Sequence, residues 1–261
     1  TLFHNNFATL GASFRYNDGT RTTLRYRDTH YDYFPRYDTR LVSFYFQDKW
    51  KILDNLETTA GMRYDNHSEY QRRFSPRLGL NYFFLDYFNM KLLYGRAFRT
   101  PSLAVVIENA GLKPEQIDSY EAELGFHYKK LLGIEVNYFY NDLKDIIERD
   151  AAGAISNRND ENIKGIEVAL TSQPHRSVSL FANYSHLFGS RQKGTRIVEE
   201  IPSEEDPNQT IESTLESFYN VAPDNVCNLG IDYSFLRYFR VSAEMHFVDE
   251  RKLARGDIED P

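Results

Sequence analysis

Ser185 and His186 place a hydroxyl beside an imidazole, the two side-chain types that hydrolases pair as nucleophile and general base. In an extended segment consecutive side chains point to opposite faces, so these two cannot act on one another. No Gly-x-Ser-x-Gly phrase or metal motif accompanies them. The single cysteine, Cys227, cannot close an internal disulfide, and no Cys/His group has zinc spacing. It alternates in phase with Leu229, Ile231, Tyr233 and Phe235, which puts it among apolar neighbours. Glu199, Glu200, Glu204, Glu205, Asp206, Glu212 and Glu216 crowd one stretch without the regular spacing of a calcium loop, so they read as solvated acidity. No enzyme, resident metal or cofactor is expected. Two polar connections remain, one with Tyr31, Tyr33, Phe34, Arg36 and Tyr37, the other with Tyr70, Arg72 and Arg73. Aromatic faces and guanidinium groups together suit non-covalent recognition of anionic or aromatic ligands. Taken singly, each is also what a membrane-interface aromatic or a solvated loop cation looks like.

The elements that must carry these residues show period-two alternation. In 89–141, Met90, Leu92, Tyr94 and Phe98 oppose Lys91, Gly95, Ala97 and Arg99. Tyr120, Ala122, Leu124, Phe126 and Tyr128 oppose Glu121, Glu123, Gly125, His127 and Lys129, and Ile134, Val136, Tyr138 and Tyr140 oppose Glu135, Asn137 and Asn141. A soluble sandwich buries the apolar face; an outer-membrane barrel turns it to lipid and lines its lumen with the other. Periodicity does not choose between them. Aromatics form 15% of the 261 residues, with 19 Tyr and 19 Phe, as strands and membrane-interface girdles favour. A mean hydropathy of -0.59 excludes helical membrane bundles but not barrels, whose strands give lipid only every second residue. No apolar run approaches the roughly 20 residues of a spanning helix. The first ten residues carry no signal-peptide pattern, so a processed chain or an internal piece of a longer one is expected. A net charge of -7 argues against a nucleic-acid partner.

About twelve antiparallel strands of roughly ten or more residues are predicted, longer than the usual soluble strand. The first is 7–16, turned by Asn17–Thr20 into a return strand over 21–30 with Arg21, Arg25 and Arg27 in one row. The connections sort into two kinds, one short (NDGT, LDN, LDYF, KKLLG, QPHR, LRYF) and one long and polar (31–39, 66–73, 100–118, 149–160 and 190–222). Segment 190–222 reads as the longest irregular one. Short periplasmic turns and long extracellular loops are the habit of outer-membrane barrels, whereas a Greek-key sandwich has no reason to sort its loops. The expected fold is therefore all-β, a portion of an antiparallel transmembrane barrel.

Six phrases then carry a family likeness: 44–65 (FYFQDKWKILDNLETTAGMRYD), 74–82 (FSPRLGLNY), 94–102 (YGRAFRTPS), 112–129 (LKPEQIDSYEAELGFHYK), 136–148 (VNYFYNDLKDIIE) and 162–170 (NIKGIEVAL). In this order they resemble the barrel of TonB-dependent outer-membrane receptors of the siderophore and vitamin B12 type. The resemblance implies a barrel plugged by a separate globular domain, and residues 1–261 are expected to be a partial barrel without plug or closing strand. It implies uptake of a scarce nutrient, most of all an iron chelate, energised through TonB with ExbB and ExbD, in contact with outer-membrane lipid and lipopolysaccharide. Haem is disfavoured, because no His stands in the SLAVVIENAGLKPE that follows FRTP. On this reading Tyr31, Tyr33, Phe34, Arg36, Tyr37, Tyr70, Arg72 and Arg73 contact ligand, and Arg21, Arg25, Arg27, Arg63, Arg77, Arg99, Glu121 and Glu123 face plug or lumen. A passive porin-like channel shares the strand pattern but not the six phrases.

Overall fold

The computed structural model describes residues 5–19, 24–26, 29–31, 37–102, 105, 109, 111–149, 154–158, 160–188, 191–202, 210–220, 222–235 and 238–250. The chain divides into two units, Thr1–Leu124 with Phe139–Asn162, and Gly125–Tyr138 with Ile163–Pro261. In the first, the hydrogen-bonded order is β1 (Asn6–Gly19), β4 (Tyr37–Leu53), β5 (Leu56–His67), β6 (Gln71–Phe84), β7 (Phe88–Arg99), β8 (Glu115–Tyr128) and β9 (Leu132–Lys144), the last two strands being shared with the second unit. There, the tight-turn ends of β8 and β9 are followed in order by β12 (Glu161–His175), β13 (Val178–Phe188), β16 (Asn225–Phe235) and β17 (Phe239–Val248). The pairings β1–β4, β4–β5, β5–β6, β6–β7, β12–β13, β13–β16 and β16–β17 are all antiparallel. Long strands linked by two- or three-residue turns at one end and by longer connections at most places on the other match the predicted architecture. Shorter pairs are β2 (Leu24–Tyr26) with β3 (Thr29–Tyr31), β10 (Ile146–Arg149) with β11 (Ile155–Arg158), and β14 (Arg191–Pro202) with β15 (Thr210–Asn220).

The alternation read from the sequence appears as two unlike faces. Phe44, Phe46, Trp50, Met62, Phe74, Leu78, Leu92, Tyr120 and Leu124 are exposed large side chains on one. The other carries rows such as Gly11–Tyr45–Arg63–Ser75 and Thr9–Gln47–Gly61–Arg77–Gly95. Among the described residues the buried apolar side chains are only Leu112, Pro114 and Ile155. A water-soluble sheet would not leave so many large apolar groups uncovered, since burying them is what stabilises it. Among the described residues no helix is long and apolar enough to cross a membrane.

Four expectations need correction. β1 does not turn at 17–20: it runs to Gly19 and pairs with β4 from Asn6↔Trp50 to Gly19↔Tyr37. Arg25 therefore belongs to the small β2–β3 pair rather than to a row of the long sheet, while Arg21 and Arg27 lie outside the described residues. The long partner Tyr37–Leu53 satisfies all of β1, which the short segment 21–30 could not. Second, the alternation of 134–141 reads as one strand running on through DLKDIIE (142–148), but Asp145 adopts φ 54° and breaks it between β9 and β10. Third, 190–222 is not irregular, since 191–202 and 210–220 form a paired hairpin. Fourth, 66–73 is not a long connection; only 68–70 separate β5 from β6.

Gly61 stands in the ladder between Gln47 and Arg77, and the Arg77 guanidinium reaches across it to bond Gln47 Oε1. A Cβ at Gly61 would lie 2.8 Å from Arg77 Nε, whereas one at Gly95, in the same row, would meet nothing within 4 Å. In the full-length barrel, Gly61→Val is expected to cost about 1–3 kcal/mol in a denaturant titration. Gly95→Val is expected to stay within about 0.5 kcal/mol of the parent; equal losses at both positions would refute the crossing geometry.

Candidate functional site

The polar face of the first unit is built from side chains at every second position. Near its loop end, Ser43 Oγ donates to Asp65 Oδ1 (2.5 Å), and Arg63 bonds both Asp65 oxygens through Nε (3.0 and 2.9 Å) and Ser43 Oγ through Nη2 (2.8 Å). Ser43 and Asp65 are buried while nearly half of Arg63 stays exposed, so a buried carboxylate fixes a guanidinium whose outer edge is free. Arg73 faces Asp65 across the β5–β6 ladder, its Nε buried with no hydrogen-bond partner. Arg15, Asn17, Arg63, Asp65, His67 and Ser75 border a recess of about 400 Å³ here. Arg99 pairs with Glu115 at the same end. Toward the tight turns, Lys91 Nζ meets Glu123 Oε1 at 2.7 Å, and a second recess of about 450 Å³ is bordered by Arg77, Gly79, Lys91, Leu93, Gly95 and Glu121.

Beyond the strand ends, the connections 100–114 and 145–160 are pinned together. Asn157 accepts from Lys113 N–H (2.7 Å) and donates to the carbonyls of Lys113 (2.9 Å) and Asp145 (2.6 Å). Asn109 donates to the Ile155 carbonyl (2.9 Å), and Glu115 accepts from Ile147 N–H (3.0 Å) while its other oxygen meets Arg99. Of the buried apolar side chains, Leu112 and Pro114 come from the first connection and Ile155 from the second. Tyr70, in the 68–70 turn, packs its ring 4.9 Å from His67 and makes a long 3.5 Å bond to the Pro101 carbonyl. Burial and the neighbouring Glu69 hold its phenol above the usual value, so it stays a protonated donor.

The apolar face carries a polar cluster that the sequence reading passed over. Asp118, buried, accepts from Arg96 Nε (2.7 Å) and Nη2 (3.1 Å), Tyr94 OH (3.0 Å) and Gln116 Nε2 (3.0 Å). Tyr94, Tyr120 and Tyr140 follow one another across three strands, with ring centroids 5.0 and 6.2 Å apart. The available signal was Arg96 itself, in phase with Tyr94 and Phe98. In the second unit, Asn225 accepts from Tyr184 OH (2.7 Å) and donates to Asp249 (2.7 Å). That bond and the Glu250 N–H hold the Asp249 carboxyl below its usual range.

Of the predicted ligand contacts, Tyr33, Phe34 and Arg36 lie outside the described residues, and only the backbone is described for Tyr31, at the end of β3, and Tyr37, at the start of β4. Arg72 and Arg73 sit in β6 rather than in a loop, and on opposite faces: Arg73 shares the polar face with Asp65, and Arg72 is in phase with Phe74 on the apolar one. Arg63, Arg77, Arg99, Glu121 and Glu123 lie on the face of the sheet that carries Asp65. Glu199, Glu200, Glu212 and Glu216 fall in β14 and β15, and Glu204, Glu205 and Asp206 outside the described residues.

Over residues 1–259 the chain matches the family described as TonB dependent receptor-like, beta-barrel. The probable TonB-dependent siderophore receptor PirA of Acinetobacter baumannii is 28% identical over 134 residues, 42% of this chain and 18% of that protein. The ferric enterobactin receptor PirA of Pseudomonas aeruginosa is 24% identical over 220 residues, covering 70% and 29%. The vitamin B12 transporter BtuB of Vibrio cholerae is 33% identical over 119 residues, covering 41% and 18%. The chain thus spans between 18% and 29% of these curated relatives. The crystal structure of the G324V mutant of the ferric enterobactin receptor PfeA from Pseudomonas aeruginosa shares the fold, with a TM-score of 0.72 at 16% identity over 94% of this chain and 39% of that one.

Asn157 is the shared hub of the pinned connections. Asn157→Ala is expected to speed hydrogen exchange at Lys113 N–H by roughly 5- to 150-fold, the equivalent of about 1–3 kcal/mol. Unchanged protection at Lys113 in the membrane-embedded protein would refute the pin.

Proposed function

The chain belongs to the TonB-dependent receptor β-barrel family, and from that premise we propose that it forms part of the wall of an outer-membrane receptor that takes up an iron–siderophore complex. The strongest support is the ferric enterobactin receptor's alignment over 70% of the chain. A second support is physical: guanidinium groups of Arg63, Arg73 and Arg99 gather at the loop end of the polar face, where an anionic or catecholate chelate finds charge-assisted donors. The ligand crosses unchanged, and no covalent step is assigned to any residue.

On this reading the tight turns are periplasmic, the long connections extracellular, and residues 1–261 are one portion of a barrel whose plug is supplied by the full-length protein. Arg63, Arg77, Arg99, Glu121 and Glu123 face the plug or lumen water. TonB, with ExbB and ExbD, supplies the energy from the inner membrane. Lipid and lipopolysaccharide meet the apolar face, where Tyr94, Tyr120 and Tyr140 and the Arg96–Asp118 pair occupy the outer headgroup level. Tyr70 and Arg73 are the described ligand candidates, and Tyr31, Tyr33, Phe34, Arg36 and Tyr37 complete the first loop's contribution.

Cells carrying the full-length gene, offered iron chelates, corrinoids and glycans with and without TonB, are expected to import a ferric siderophore only when TonB is present. Import undiminished without TonB would favour a passive channel. Arg73→Ala is expected to raise the half-saturating ligand concentration about tenfold, as loss of a charged hydrogen bond does. Arg72→Ala, on the lipid side, is expected to leave it unchanged; the reverse order would overturn the assigned faces.

A further inference from the structure

Four of the five tight turns carry a large apolar side chain where a turn in water would favour small polar ones, the β12–β13 turn with Arg176 and Ser177 being the exception. Leu53 at the β4–β5 turn, Leu85 at β6–β7, Leu131 at β8–β9 and Tyr238 at β16–β17 are all exposed, Leu85 at 76% and Tyr238 at 85%. Leu85 also adopts φ 58°, a left-handed conformation that Gly, Asn or Asp enters far more readily than a bulky residue. A leucine there costs backbone energy and, in the protein alone, buries almost nothing in return.

Just inside two of these tips the chain repeats one phrase, Tyr82-Phe83-Phe84-Leu85-Asp86-Tyr87-Phe88 and Tyr233-Ser234-Phe235-Leu236-Arg237-Tyr238-Phe239. Each sets up the same three-ring stack. Tyr82, Phe84 and Phe88 follow at 5.9 and 5.7 Å with planes 21° and 22° apart, and Tyr233, Phe235 and Phe239 at 5.8 and 5.6 Å with planes 20° and 16° apart. The apolar strand face thus runs without a polar break through the ring stack to the tip. Beside the tips, Lys51 is neutralised by Asp54 at 3.0 Å, and Lys129 extends over the Tyr128 ring at 5.4 Å. Paired charges and a cation lying along an aromatic surface are how polar groups settle at a bilayer boundary.

We infer that these tips are lipid anchors: Leu53, Leu85, Leu131 and Tyr238 seat in the headgroup and upper acyl region of the leaflet on the tight-turn side, instead of projecting into water. The occupant is a phospholipid surface, because the tips continue the face already given to lipid. Burying a leucine side chain there offsets the left-handed backbone at Leu85. The inference rests on the outer-membrane reading above and adds a depth to it.

The test places a nitroxide spin label at Leu85→Cys, Leu131→Cys and, as a mid-strand reference on the apolar face, Leu78→Cys. It uses the full-length protein with its native cysteines, Cys227 included, replaced by serine, reconstituted in phosphatidylethanolamine and phosphatidylglycerol vesicles. Power saturation with oxygen and with a water-soluble nickel chelate reports immersion. Labels at Leu85 and Leu131 are expected to collide more with oxygen than with nickel, though less so than the label at Leu78. Nickel-dominated collision at both tips with a lipid signal at Leu78 would overturn the anchors and leave the barrel standing. Nickel-dominated collision at Leu78 as well would remove the membrane reading itself.

Discussion

Hydrocarbon offers no partner to an amide, so every backbone N–H and C=O that crosses a membrane must find one inside the protein. All other features of this chain follow from that constraint. Strands satisfy it through ladders of uninterrupted register, such as the fourteen consecutive partners that bind β1 to β4. Because side chains alternate along a strand, the same ladder sorts the sequence into one face for lipid and one for polar company. An ordinary core is then unnecessary, and the described residues do without one: their few buried apolar side chains, Leu112, Pro114 and Ile155, sit in the connections, outside the long sheet.

The polar face shows how such a wall holds charge. Asp65 is buried, yet it is spanned by Arg63 and Ser43, so the carboxylate is never left unpaired. Asp118 solves the same problem on the opposite face, where four donors converge on two oxygens. A buried carboxylate stripped of partners would be far more costly than the ion pair is favourable, so both clusters act chiefly to fix geometry. What Asp65 fixes is a guanidinium with free donors, and what Asp118 fixes is the junction of two tyrosines and an arginine beside the apolar band.

Strand existence, phase and the sorting of connections were legible because period-two alternation is a local signal that survives into the fold. The partner of each strand was not. Asn17-Asp18-Gly19 has the chemistry of a tight hairpin, but β4 offers a longer complement to β1 than the 21–30 segment does, and tertiary pairing overrode the local turn preference. The same limit explains Arg72 and Arg73: their types pointed to recognition, but which one shares the face of Asp65 depends on where the 68–70 turn sets the phase. Arg96 was passed over because a charge among apolar neighbours looks like an exception until Asp118 is found beside it. The Asn157 hub bonds Lys113 across 44 residues of sequence, and no pattern in either connection announces it.

That hub ties the histories of two surface segments together. Connections of this kind are usually free to diverge independently, because each answers only to solvent. Here a change at Asn109 strands the Ile155 carbonyl, and a change at Asn157 strands the backbone of Lys113 and Asp145. Segments 100–114 and 145–160 must therefore evolve as a couple, each accepted substitution in one narrowing what the other can tolerate.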